Sequence, residues 1–176
     1  MVSSSILCTV ALALASIVGA AQYCDPVTTV CYSETKAGDL YVRVALPAVE
    51  KDPFDILMQI VAPKAAAGWA AVAWGGKMTK NPITVAWANG NQIVVSSRWA
   101  DQCASWTADN AKMAINPNDT AAKFAYALAP TPPSQPANNA SSIVKHTIHA
   151  SFTVDLAAAK TEKFEDYVKA LSSGRK

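Results

Sequence analysis

Alternation is the feature that most constrains this chain. Leu40, Val42, Val44 and Leu46 alternate with Tyr41, Arg43 and Ala45, and Phe54, Ile56, Met58 and Ile60 alternate with Asp55 and Gln59. A period of two marks strands with one face buried. Residues 68–74 form a third apolar run, and 122–128 read as a further strand. The runs 83–88 and 92–97 flank Asn89-Gly90-Asn91. Asn-Gly between two such runs predicts a hairpin, because both residues tolerate positive φ. Near the end, Phe164, Tyr167, Val168 and Leu171 recur at helical spacing, and Glu165 precedes Lys169 by one turn, which predicts one amphipathic helix over 158–171. Many short strands, frequent turns and one terminal helix predict an all-β fold: an immunoglobulin-like antiparallel β-sandwich with one short C-terminal helix.

Residues 1–21 carry no charged side chain, 6–18 are almost wholly apolar, and the small residues Gly19, Ala20 and Ala21 follow. This pattern predicts a secretory signal peptide over 1–21 and a single domain over 22–176, exported to the extracellular space. The apolar run is short of the ~20 residues a membrane span needs. The polar C-terminus lacks the tail of a lipid-anchor signal. A net charge of +2 argues for neither nucleic acid nor an anionic membrane surface as partner.

Cys8 leaves with the signal, and Cys24 and Cys31 are close enough in an oxidising compartment to predict a disulfide. Cys103 is then unpaired, either a buried thiol or a link to another chain. No histidine lies near any cysteine and no CxxC occurs, so a cysteine metal site is not expected. Four prolines among Ser and Asn in 130–140 mark a surface loop. Asn118-Asp119-Thr120 and Asn139-Ala140-Ser141 are glycosylation sequons, which suit a secreted glycoprotein.

Both histidines of the chain lie in 143–156, IVKHTIHASFTVDL. Read as one strand, its even positions are apolar except His146, and its odd positions are polar except Ile143. His146 is then expected to face the apolar side and His149 the water. An imidazole on an apolar face is either a core histidine with nearby partners or a metal ligand. One histidine cannot build a tetrahedral zinc site, whereas a haem needs only one or two axial side chains. Met78 is a candidate second ligand. It follows Gly75-Gly76 at the end of an apolar run, and paired glycines permit a close approach of the backbone. Met thioether ligates electron-transfer haems, although core filling is the common use of Met, as Met58 shows and as Met113 gives no reason to doubt.

Trp74-Gly75-Gly76-Lys77-Met78, then Asn81-Pro82-Ile83-Thr84-Val85-Ala86-Trp87, then Val94-Val95-Ser96-Ser97-Arg98 resemble the haem-binding cytochrome domain of cellobiose dehydrogenase, a secreted fungal member of the DOMON-type cytochromes. The resemblance runs from about Tyr32 to Leu156. It implies a β-sandwich that binds haem b between a Met and a His, here Met78 and His146, with His149 as the reserve ligand. Arg98 is either a partner for a haem propionate or a structural arginine. Trp69, Trp74, Trp87, Trp99 and Trp106 are expected in the core or the pocket wall. The region between Arg98 and His146 is shorter than in the family. The second half of that region in relatives commonly carries a cysteine pair, whereas here only Cys103 stands nearby.

The resemblance implies a one-electron relay, more an electron carrier than an independent catalyst. No flavin dehydrogenase segment accompanies it here, so the donor is expected to be a separate flavin-dependent sugar dehydrogenase. The acceptor is expected to be a copper polysaccharide monooxygenase, a quinone or ferric iron, met by a monomer in a transient encounter. The rival reading is a haem-free carbohydrate-binding module. A hydrolase is disfavoured, since neither GxSxG nor HExxH occurs.

Overall fold

The computed structural model describes residues 21–49, 51, 53–64, 67–102, 105–107 and 115–173. Cys103, Met113 and residues 1–20 lie outside them, as does the side chain of Trp106. The strands are β1 (Ala21–Cys24), β2 (Cys31–Ala37), β3 (Leu40–Pro47), β4 (Leu57–Val61), β5 (Trp69–Trp74), β6 (Pro82–Asn89), β7 (Gln92–Gln102), β8 (Ser105–Thr107), β9 (Ala122–Ala129), β10 (Ile148–Val154) and β11 (Lys160–Thr161), and the helix α1 (Phe164–Ser173) closes the chain. They form an all-β sandwich of two sheets. One runs β1-β2-β3-β11 with β4 also on β3; the other runs β10-β9-β5-β6-β7-β8.

Between the sheets, Val42, Val44 and Leu46 of β3 meet Val72 of β5 and Phe124 of β9. Phe54 and Ile56 pack on this core as the alternation predicts, yet only 57–61 join the ladder. The outer face of the five-stranded sheet carries Val30, Tyr32 and Ala45 under Tyr167 of α1. The outer face of the six-stranded sheet is also buried. It carries Trp69, Ala71, Ala73, Ile83, Val85, Trp87, Ala125, Ala127 and Ala129. β5 and β9 are therefore covered on both sides, which explains why they read as continuous apolar runs rather than alternating ones.

The 6–7 hairpin forms with Asn89 opposite Gln92, so the two turn residues are Gly90 and Asn91. Gly90 alone takes positive φ there (62°), and Asn89 stays in the strand, one position short of the expected turn. Helix α1 starts later than expected. Asp155 Oδ1 accepts from Ala158 N–H at 2.9 Å, a short 3₁₀ turn spans Ala157–Ala159, and Lys160 and Thr161 pair parallel with Leu46 and Pro47. That ladder, on β3 just beyond the residue that pairs with the start of β4, overrides the helix preference of the alanines. The Phe164 and Tyr167 face is buried as predicted, while Lys169 lies 3.8 Å from Asp166. Cys24 and Cys31 are opposite each other in the β1–β2 ladder and form a disulfide.

Candidate functional site

Register and packing bring four singled-out side chains to the alanine-rich outer face. Arg98 lies opposite Ile83, so it shares that residue's face. His149 lies opposite Ala127 and faces the same way. Met78 packs against the cluster directly. The ring of His146 lies 4.4 Å from that of His149, at 48°.

Met78 reaches this face from a tight loop. Gly75 and Gly76 take φ of 106° and 80°, and Lys80 takes 56°. Asn81 Nδ2 donates to the carbonyls of Lys77 (3.2 Å) and Thr79 (3.0 Å), on either side of Met78. Lys80 N–H donates to the Ala100 carbonyl at 2.7 Å, and Ser151 hydroxyl donates to the Gly76 carbonyl at 3.1 Å. The loop is thus tied to both β7 and β10. The close approach that Gly75 permits is to Asn81: a Cβ there would overlap the Asn81 Oδ1.

The histidines differ from the expected pattern. β10 begins only at Ile148, and 142–147 are irregular, so the parity rule does not reach His146. Within β10 the odd residue His149 faces the alanine cluster, and the even residue Ile148, opposite Leu128, is 42 % exposed. His146 is half-buried by its loop, and His149 is exposed. His146 Nδ1 is buried with no hydrogen-bond partner among the described residues. Burial, then His149 and Lys145, pull its pKa down, which favours the neutral, metal-binding form.

Arg98 is buried. Its Nε donates to Ser96 Oγ (2.6 Å), and its Nη2 to the carbonyls of Asn139 (2.8 Å) and Ser141 (2.9 Å). Trp87 Nε1 donates to the Pro136 carbonyl at 2.7 Å. These bonds hold the loop 130–147 over the face, with Ile143 packed on it. The contacts seen are those of a structural arginine. Trp69, expected in the core or the pocket wall, is buried on this face. Its buried Nε1 is the other polar atom of this face without a partner among the described residues, a feature no sequence pattern signals. Asn118 and Asn139 are both exposed, and Asn118 Oδ1 accepts from Lys160 Nζ at 2.6 Å.

The sequence profile of the cytochrome domain of cellobiose dehydrogenase matches residues 23–104 and 101–166. The chain belongs to this family. A pyrroloquinoline quinone-dependent pyranose dehydrogenase from Coprinopsis cinerea is 24% identical over 143 residues, covering 62% of this chain and 19% of the relative. The chain thus spans about a fifth of that relative's length. The cytochrome b domain of pyranose dehydrogenase from Coprinopsis cinerea superposes with a TM-score of 0.72 at 21% identity, over 86% of this chain and 95% of the other. The cytochrome domain of Myriococcum thermophilum cellobiose dehydrogenase gives 0.70 at 13%, with the same coverage of each. Both likenesses support the sandwich fold.

A cytochrome domain of this type is an electron-transfer domain and implies a haem, and the residues present suit one. The alanines make an apolar floor. Met78 packs on that face, the His146 ring lies against that of His149 beside it, and His146 has a buried nitrogen that no group among the described residues satisfies. No group of three or more His, Cys, Asp or Glu that could hold a metal occurs among the described residues.

Proposed function

We propose that this cytochrome domain holds one haem b between Met78 and His146 and relays single electrons outside the cell. The buried Nδ1 of His146, without a partner among the described residues and beside the Met78 face, carries the reading. When bound, the haem supplies reversible one-electron exchange at a potential that a Met ligand raises. The protein's own contribution is placement and exclusion. The 75–81 loop, tied to β7 and β10, presents the thioether. The loop 130–147, pinned by Arg98, keeps water from the alanine floor. Neutral His146 offers a lone pair without first losing a proton, and His149 is the reserve ligand from the neighbouring position.

The family and the pyranose dehydrogenase relative support a sugar dehydrogenase as electron donor, flavin- or quinone-dependent. A copper polysaccharide monooxygenase, a quinone or ferric iron suits a single-electron acceptor. Export and glycosylation at Asn118 and Asn139 belong to the same reading.

The visible spectrum of the purified protein tests it, oxidised and then reduced with dithionite, together with a pyridine haemochrome assay for the haem type. Sharp α and β bands lost in both Met78→Ala and His146→Ala, and kept in His149→Ala, are expected. Loss in His149→Ala with retention in His146→Ala would exchange the two histidines. No Soret band after haem is supplied during folding would overturn the electron-carrier reading.

A further inference from the structure

Behind the Met78 loop, where β5 ends and β9 begins, lies a half-open cavity of about 390 Å³. Its volume falls at the small end of the roughly 300–1,000 Å³ usual for small-molecule sites. Trp74 and Phe124 line it, with ring centroids 5.2 Å apart. Trp74 is half-buried, and its indole N–H donates to Thr84 Oγ1 at 3.2 Å, which fixes the ring plane.

The polar lining comes from Asn81, Asn116 and Asp119, with Lys123 of β9 beside them. The first three are each partly committed in a way that leaves a defined function over. Asn81 spends its amide N–H groups on the Lys77 and Thr79 carbonyls, which leaves its oxygen as an acceptor. Asn116 Oδ1 accepts from Asn118 N–H at 3.0 Å, which leaves its amide as a donor. Asp119 Oδ1 accepts from Ala121 N–H at 2.8 Å, which leaves its second oxygen. An aromatic wall beside one amide donor and two acceptors, one of them a carboxylate, matches a neutral ring bearing several hydroxyls. Each hydroxyl both donates and accepts, while the ring's C–H face packs on the indole.

We infer that this cavity binds a pyranose unit of a neutral saccharide against Trp74. The ring could belong to a free oligosaccharide or to a glycan carried by the chain's own Asn118, the residue before Asp119. The site lies behind the Met78 loop, and Asn81 belongs both to that loop and to the cavity lining.

The test is calorimetric titration of haem-loaded protein, made without N-glycosylation, with cellobiose and with chitobiose. The Trp74 indole N–H signal is followed by NMR alongside. Binding of at least one sugar with a dissociation constant on the order of 1 mM is expected. Asn116→Asp keeps the turn-forming oxygen but removes the donor, and is expected to weaken binding about tenfold. Trp74→Phe, which shrinks the stacking wall, is expected to weaken it as well. Should Trp74→Phe fail to fold, Asn116→Asp carries the test alone. Glycosylated protein separates the two sources. Equal affinity with and without the glycan assigns the site to free sugar; affinity blocked by the glycan and restored in Asn118→Gln assigns it to the chain's own glycan. No heat and no Trp74 shift with either sugar at about 50 mM would overturn the inference, as would unchanged affinity in Asn116→Asp.

Discussion

The guanidinium of Arg98 donates to the main-chain carbonyl of Ser141 across 2.9 Å, joining the middle of β7 to a loop more than forty residues further on. With the Asn139 and Ser96 bonds, it turns a proline-rich surface loop into the cover of the candidate haem face. Ser141 is itself 2 % exposed, and its hydroxyl accepts from Gln135 N–H at 2.9 Å.

Arg98→Met, similar in length but without donors, is expected to strand two carbonyls. The cost expected is about 1–3 kcal/mol of unfolding free energy, read from a shift of the urea midpoint. Arg98→Lys should recover only part of it, because an ammonium cannot reproduce the guanidinium fork. A midpoint unchanged in Arg98→Met would show that the loop is held by other contacts.

Gly75→Ala tests the Met78 loop. At φ 106° a Cβ is strained, and it would overlap the Asn81 side chain that brackets Met78. The strain is of order 1–3 kcal/mol. The expected result is a far-UV circular dichroism spectrum like the parent's, with the sharp α band of the reduced haem weakened. An α band as strong as the parent's would mean that the loop does not set the ligand.

The disulfide is remote from that face, since β1 pairs only with β2 at the edge of the other sheet. Replacing both Cys24 and Cys31 with Ala is expected to cost about 2–3 kcal/mol, given the short loop that the bond closes. The Tm should fall while the haem spectrum stays unchanged. A changed spectrum would link the two sheets more tightly than their packing indicates.

Asp25 begins the turn inside that disulfide loop. Its Oδ1 accepts from the N–H groups of Thr28 (2.8 Å) and Val27 (2.9 Å), and these bonds hold its pKa below 3.8. A depressed carboxylate pKa adds stability that is present above the unfolded-state value and lost as pH falls through the folded one. An NMR titration should place the Asp25 midpoint below 3.8. Asp25→Asn should remove this part of the acid sensitivity, and a midpoint at or above the unperturbed value would refute the assignment.

Much of the sandwich was legible because burial on one face writes a period of two into β3 and β4, and a Gly in the turn writes the β6–β7 hairpin. The resemblance in 74–98 pointed to Met78 and Arg98 before any contact was known. What alternation could not supply was the point where a strand stops. The pattern of 143–156 continues past the place where the ladder to β9 begins, so parity assigned His146 a side it does not take from any strand. The alanines of 157–159 likewise favoured a helix that pairing with β3 displaced. Local pattern determined that this chain makes sheets with buried faces and which of its side chains are of a type able to act as ligands. Only the tertiary structure decided that Arg98 serves the loop 139–141, that the His146 ring lies tilted against that of His149, and that Trp69 and His146 each keep a buried nitrogen without a partner among the described residues. Those facts depend on contacts between residues far apart in sequence, where register and loop closure, rather than periodicity, set which groups meet.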